Sequence, residues 1–588
     1  MQRIFRAPLA ALRRLPPGQL MLVLCICIGA VSGLAAVILK NTVHYTYVLI
    51  TRNLESDSVS WVYFFVPLIG IFLTVIFVKG FIKEDIVHGI TRILYSISQR
   101  KSFLKAHNMY ASLIASTLTV GFGGSVGLES PIVLTGSSIG SNMGRWFKLS
   151  YRNTTLLLGC GAAAAIAGIF KAPIAGTVFV LEVFMLEMTT LSISYLLVAA
   201  VTGATVSSLL LGDAVVFDFT LMDKFSLVNL PFYAVLGIFC ALISVYFTRG
   251  TILIEGYMKN MRVLWKKLFF GGLVLGVLIF LFPPLYGEGY EALRMLLGGA
   301  PEDIANSSFF YTMRDNNYAL LAFLVIVLAA KVVASSVTTG AGGVGGIFAP
   351  TLFMGGVSGF IVARVLRMMG FYTVSEKNFA LVGMAGLMAG VMHSPLTAIF
   401  LIAEITGGYS LFLPLIITAT IAFFSVRWVQ PYSIYTHRLA RRGELITHDK
   451  DKAVLTLMQW NGLIEEDLIP VSPEATLGEL VKVIARSRRN VFPVVNQEGL
   501  LEGIVLLDDI REMMFARELY ENTYVRELMI LPPTVIEINE NTEKVMRKFE
   551  DTQAWNLPVT DHGRYIGFLS KSRILSAYRE MLVTDSAV

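Results

Sequence analysis

The chain has 588 residues, 55% of them hydrophobic and only 15% charged, with a mean hydropathy of +0.66. Soluble proteins carry about 25% charged residues, so this composition excludes an ordinary soluble protein and points to a chain built mainly for lipid. The net charge of +6 is too small to mark a nucleic-acid binder, and no nucleic-acid partner is expected.

The apolar excess is confined to residues 19–430. Ahead of it stand Arg3, Arg6, Arg13 and Arg14 without an acid, and behind it Arg427, Arg438, Arg441 and Arg442. Basic flanks at both ends predict cytoplasmic termini for a multi-pass membrane protein. No targeting segment is visible, so the bacterial inner membrane is the expected location. The first apolar run, "LMLVLCICIGAVSGLAAVIL", has no small-residue cleavage site and reads as a retained spanning helix. Further apolar segments follow at 61–79, 110–120, 131–148, 156–169, 173–186, 190–211, 228–248, 267–285, 317–338, 351–369, 379–392, 395–406 and 411–430. Several fall short of the roughly 20 residues that cross a bilayer. Short apolar helices broken by Gly and Pro predict discontinuous helices whose ends face a protein-lined cavity. Cys25, Cys27, Cys160 and Cys240 all lie in apolar runs and read as small buried hydrophobes, with no disulfide or metal framework.

Two internal repeats stand out. "GGSVGLESP" (123–131) aligns with "GGVGGIFAP" (342–350), which sets Gly136 on Gly355 and Gly140 on Gly359. "GCGAAAAIAGIFKAPIAGTVFVLE" (159–182) resembles "GMAGLMAGVMHSPLTAIFLIAE" (383–404), and in both copies a proline precedes a glutamate by nine residues. The repeat halves run roughly 19–211 and 228–430, the pattern of an inverted-repeat transporter with its site near the bilayer midplane. Beyond a membrane unit ending near 440 and a linker at 441–465, the tail carries its own repeat, at 466–520 and 521–583. Alternating apolar strands and amphipathic helices there predict a small soluble α/β pair.

From Ala106 to Gly144, thirty-nine residues, Glu129 is the only Asp, Glu, Lys or Arg. It opens an apolar helix after glycines, with Pro131 in the first turn, and "GIFAP" (346–350) repeats that design. Such helix starts offer unpaired N–H groups and a positive dipole end, which bind anions without a full positive charge. Backbone dipoles also hold an ion weakly enough for it to leave. A carboxylate tethered there can compete with the ion for the same donors, and an ionisable group inside a bilayer is costly unless it has such a task.

With these motifs, the chain resembles over nearly its whole length a CLC-family chloride transport protein with a C-terminal pair of CBS domains. The family's G-K/R-E-G-P motif appears as Gly127-Leu128-Glu129-Ser130-Pro131, and its G-x-F-x-P motif is complete in Gly346-Ile347-Phe348-Ala349-Pro350. The resemblance implies that Glu129 is the gating glutamate. It further implies that the N–H groups of Ile347 and Phe348 and the hydroxyl of Tyr435, in "PYSIYTHRL", line a central chloride site. Tyr432 is the second candidate for that hydroxyl, and Leu128 is counted with the chloride-binding residues. A homodimer with one pathway per subunit is implied as well.

Three departures from the family pattern bear on function. The G-S-G-I-P motif is degenerate, its counterpart being "VHGIT" (87–91), with His88 at the serine position and Thr91 at the proline. Leu128 and Ser130 replace the usual basic residue and glycine, which removes a positive charge beside the outer pathway. The inward-facing glutamate of proton-coupled members is Val183 here, next to Glu182, with Glu187 as a substitute one turn on. The reading that follows is a passive chloride channel gated by voltage or pH, and a chloride/proton antiporter of the same fold is the alternative. Lys171 is placed at a cytoplasmic vestibule or as a snorkelling interfacial lysine. In the tail, "GIVLLDD" keeps Asp509 but has Leu506 at the hydroxyl position, and "GFLSKSR" keeps Ser570 but has Arg573 for the acid. An adenine nucleotide at the CBS pair is therefore weighed against a structural or dimerising role. A CBS-regulated divalent-cation transporter would need clustered membrane acids, and a membrane-embedded enzyme would need a nucleophile–base pair or metal cluster. The sequence offers neither, and no enzymatic activity or metal is expected.

Overall fold

The computed structural model of the protein describes residues 15–51, 61–84, 86–99, 102–186, 189–212, 226–298, 301–305, 308, 316–441 and 460–586. The chain divides into two compact units, Met1–Leu445 and Ile446–Val588. Among the described residues of the first, nine helices are long and apolar enough to cross a membrane.

The first half of this unit runs α1 (Pro17–Thr51), α2 (Val62–Phe77), α3 (Gly89–Gln99), α4 (Asn108–Gly121), α5 (Glu129–Trp146), α6 (Tyr151–Phe170), α7 (Pro173–Val183) and α8 (Thr190–Leu211). The second runs α9 (Leu230–Asn260), α10 (Leu264–Leu281), α11 (Tyr290–Gly298), α12 (Asn317–Gly340), α13 (Phe348–Met368), α14 (Glu376–Met392), α15 (Pro395–Ile405) and α16 (Phe412–Val429), with α17 (His437–Arg441) closing the unit. The halves match helix for helix. The short α11, which hydropathy does not reveal, is the counterpart by order of α3.

Glycines set the packing of both halves. A Cβ on Gly136 of α5 would lie 2.1 Å from the Gly161 carbonyl oxygen of α6, and one on Gly355 of α13 would lie 2.5 Å from that of Gly383 in α14. No side chain fits at such a seam, so the backbones of each pair approach closely, as small residues allow in membranes. The aligned glycines of the repeat therefore mark helix–helix seams.

The prolines and glutamates of the second repeat explain how the halves join. Glu182, near the end of α7, accepts from the N–H groups of Leu396 (3.0 Å) and Thr397 (2.8 Å) and from the Thr397 hydroxyl (2.6 Å). Glu404, near the end of α15, accepts from the N–H groups of Ile174 (3.0 Å) and Ala175 (2.8 Å). Each short helix begins with proline, which fits a first turn. Each then has its remaining open N–H groups satisfied by the other's terminal carboxylate. Only an antiparallel pair can exchange caps in this way, so the repeat is inverted.

Cys25, Cys160 and Cys240 are buried, with the sulfurs of Cys25 and Cys160 3.5 Å apart. Cys27 is exposed, against the expectation for all four, because it falls on the outward face of α1.

In the second unit, α18 (Leu477–Arg486) opens with a capping box between Thr476 and Glu479. It is followed by the antiparallel pair β1 (Val491–Val495) and β2 (Leu501–Leu506), then α19 (Leu507–Ile510) and α20 (Val525–Leu528). The second copy has β3 (Ile536–Glu537), α21 (Thr542–Thr552), β4 (Asn556–Asp561), β5 (Arg564–Ser570) and α22 (Lys571–Ser586). Val471 pairs parallel with Val494 as Ile536 does with Val559, so the copies share a topology. Each copy also receives the lead-in of the other: Ile530 pairs with Ile504, and Glu465 pairs with Phe568. Residues 460–465, assigned from sequence to the linker, thus belong to the second copy. Trp460 is buried against Ile536, Val545, Phe549 and Leu557, and its Nε1–H donates to the Glu540 carbonyl at 2.9 Å. Trp460→Ala is expected to destabilise the second copy by ~3–5 kcal/mol, the usual cost of deleting a buried Trp. Pulse proteolysis of the full chain in urea should then show earlier cleavage of the tail.

Candidate anion-binding site

The two glycine-led loops meet at the centre of the membrane unit. Gly127 N–H donates to the Gly346 carbonyl at 2.8 Å, and Gly346 N–H returns the bond to Gly127 at 2.7 Å. This two-residue bridge places the first turns of α5 and α13 side by side. Both helices begin directly after it, at Glu129 and Phe348, and a helix leaves its leading N–H groups without intrahelical acceptors. The helix start of "VHGIT" joins them, since a Cβ on Gly89 would lie 2.9 Å from the Ser130 carbonyl oxygen. Three helix N-termini therefore converge, and their positive dipole ends sum on one small volume.

Tyr435 completes the site. Its carbonyl accepts from the Thr91 hydroxyl at 3.1 Å, which ties the segment after α16 to α3. Its own hydroxyl is buried without a hydrogen-bond partner among the described residues, and it lies within electrostatic reach of Glu129. A buried O–H left open is a donor awaiting an acceptor. Tyr432 is 45% exposed and has no such position. Arg438, three residues later, pairs with Glu255, whose other oxygen accepts from Thr339 at 3.1 Å. That pairing fixes the Tyr435 segment against α9 and α12.

The Glu129 side chain is 1% exposed and folds back over its own loop. A Cβ on Gly127 would lie 2.0 Å from Oε2, and one on Gly346 would lie 3.6 Å from it. Oε2 has no hydrogen-bond partner among the described residues, although the Ala349 N–H interacts with the carboxylate. Oε1 accepts from the Tyr290 hydroxyl at 2.8 Å. The carboxylate is thus seated where the helix starts would hold an anion.

The other expected residues fall in distinct places. Ile347 precedes the first residue of α13, and the buried Phe348 ring stacks on Phe170 with centroids 5.3 Å apart. The Leu128 N–H is taken by the Glu288 carboxylate at 3.3 Å rather than left open. His88 precedes α3, and the charges that reach it are those of Arg438 and Lys267. Val183 is buried at the end of α7, and its neighbour Glu182 is committed to capping α15. Glu187 lies outside the described residues.

A cavity of about 470 Å³ reaches Glu129 and is lined also by Lys40, Phe170, Glu288, Tyr290 and Arg294. Lys171 lies within electrostatic reach of Lys40, toward the C-terminal half of α1. Sequence reasoning missed Glu288, Tyr290 and Lys331. Lys331 is the only charged residue between Asn316 and Ala363, the same signal that singles out Glu129.

In the tail, Asp509 is exposed on α19. The Ser570 hydroxyl, at the end of β5, donates to Glu465 at 2.9 Å. Glu465 is paired in turn with Arg489 at 2.6 Å and Arg573 at 3.5 Å. Arg489 also hydrogen-bonds Asp467 and holds that carboxyl below the usual carboxylate range.

A family model described as voltage gated chloride channel matches residues 70–427, and CBS domain models match 462–516 and 525–580. A ClcB-like protein of Ralstonia nicotianae is 29% identical over 65% of this chain and 87% of its own. Chloride channel protein CLC-f of Arabidopsis thaliana is 25% identical over 85% of this chain and 70% of its own. The crystal structure of a slow cyanobacterial Cl⁻/H⁺ antiporter superposes with a TM-score of 0.62 at 25% identity, over 73% of this chain and 98% of that one. Converging helix starts, a seated glutamate and an open tyrosine hydroxyl thus occur in a chain that belongs to the voltage-gated chloride channel (CLC) family and carries a C-terminal CBS pair.

Proposed function

We propose that the protein carries chloride passively across the membrane through this site, with Glu129 as its gate. The observation that carries the reading is the seat of the Glu129 carboxylate between the starts of α5 and α13, beside a buried Tyr435 hydroxyl that has no partner. A chloride ion in the central site would accept from the N–H groups of Ile347 and Phe348 and from Tyr435. To pass outward or inward it displaces the carboxylate, or the carboxylate leaves when protonated. None of these donors carries a full charge, so the ion is solvated without being trapped.

The passive reading rests on the inner side of the gate. Val183 offers no proton, and the Glu182 carboxylate is already satisfied by Leu396 and Thr397. Chloride/proton exchange is the second reading, favoured by the likeness to the cyanobacterial antiporter. The proposal includes a homodimer with a separate pathway in each subunit, cytoplasmic termini and a bacterial inner-membrane location. The tail is proposed as a structural or dimerising module, since the Ser570 hydroxyl that would hold an adenine nucleotide is engaged with Glu465.

Liposomes loaded with a chloride gradient and followed with a pH electrode are expected to release chloride without proton movement. Uphill proton movement driven by chloride would replace the passive reading with exchange. Glu129→Gln, which mimics the protonated gate, is expected to raise flux at neutral pH and flatten its pH dependence, and unchanged flux and pH dependence would remove Glu129 from the gate. Tyr435→Phe deletes one hydrogen bond to a charged ligand, about 1.5 kcal/mol. Isothermal titration with chloride should therefore show binding weakened roughly tenfold.

A further inference from the structure

Residues 285–290, the strap that leads from α10 into the first residue of α11, touch the gate loop at four points. The Leu285 carbonyl accepts from the Ser125 hydroxyl at 2.6 Å, and Gly287 N–H donates to the Gly123 carbonyl at 3.2 Å. Glu288 accepts from Leu128 N–H at 3.3 Å, and the Tyr290 hydroxyl donates to Glu129 Oε1 at 2.8 Å. Strap and loop approach so closely that glycine is required: Gly123 has φ +90°, and a Cβ there would lie 2.3 Å from the Tyr286 ring. Lys331, fully buried on α12, fastens the two together. Its ammonium donates to Ser125 Oγ at 2.8 Å and to the Gly287 carbonyl at 3.2 Å.

Lys331 also lies within electrostatic reach of Glu288, which in turn is within reach of Glu129. Lys331 of α12 thus meets the loop at Ser125, in a chain whose gate motif has Leu128 rather than a basic residue. A buried ammonium held by two neutral acceptors and a nearby carboxylate is costly to remove, so the strap is fixed in place. Among its described residues, Tyr290 is the one whose side chain hydrogen-bonds the gate carboxylate.

We propose that Tyr290 is the latch of the gate, its hydroxyl holding the Glu129 carboxylate in the seated position while Lys331 and Glu288 fix the strap that presents it. The inference rests on the reading of Glu129 as gate. Tyr290 is a positioning residue: it acts on chloride only through Glu129.

The test is a double-mutant cycle on the full chain in liposomes, with Tyr290→Phe, Glu129→Gln and the pair. Tyr290→Phe removes one charge-assisted hydrogen bond and keeps the ring. It is expected to raise chloride flux about tenfold at neutral pH and to have no further effect in the Glu129→Gln background. Chloride titration should show tighter binding to Tyr290→Phe than to the unmodified protein, because the carboxylate competes less well. Neither gain can arise from a variant that folds poorly. Unchanged flux and affinity in Tyr290→Phe, beside a Glu129→Gln that does alter flux, would overturn the latch alone. The same factor of change in both backgrounds would also overturn it, leaving a merely structural tyrosine. A Glu129→Gln that changes nothing would overturn gate and latch together.

Discussion

An anion inside a bilayer has lost its water, and something in the protein must solvate it without binding it permanently. Backbone N–H groups at helix starts meet both demands, but a helix has only one start, and in a plain spanning helix it lies at the membrane surface. Bringing α3, α5 and α13 to begin at one internal point forces each to be broken. The rest of the membrane unit follows from that requirement. Broken helices need glycine at their joints and seams, prolines to open them, and a second copy of the same design in inverted orientation so that the starts face one another.

Much of this was legible in the sequence, because the chemistry demands rare residues in fixed order. The aligned glycines mark the seams, and the paired prolines and glutamates mark α7 and α15. Why those glutamates recur could not be read, since exchange of caps between halves is a tertiary fact. Glu129 stood out as a lone charge, and the bridge between Gly127 and Gly346 gives its alignment partner a physical location. Tyr290 was invisible for the opposite reason: in "YGEGYEALR" it sits among other polar residues, and its role exists only where the strap crosses the gate loop. Lys331 carried the same lone-charge signal as Glu129 but had no motif around it.

Glu129 therefore has two kinds of neighbour. Toward the ion it faces neutral dipoles, which can exchange one anion for another at little net cost. Toward the cavity it faces Tyr290, Glu288 and, through the strap, Lys331, where charges are buried and their geometry is fixed. Neutral donors on one side and the hydrogen-bonded strap on the other give the carboxylate one defined place to rest. The loop lacks a basic residue beside the glutamate, and the nearby lysine, Lys331, reaches it from α12 through Ser125.

The tail carries a consequence of a different kind. Its two copies trade lead-in segments, with Glu465 laid beside Phe568 in the second copy and Ile530 beside Ile504 in the first. The earliest part of the tail to be synthesised therefore has its partner in nearly the last. Trp460 waits, apolar and unburied, until the final strands exist, and the first copy lacks its own edge until the chain has passed it. Such long-range closure makes assembly late and cooperative. Each half of the tail is thus completed by a segment of the other, and neither has its full set of strand partners alone.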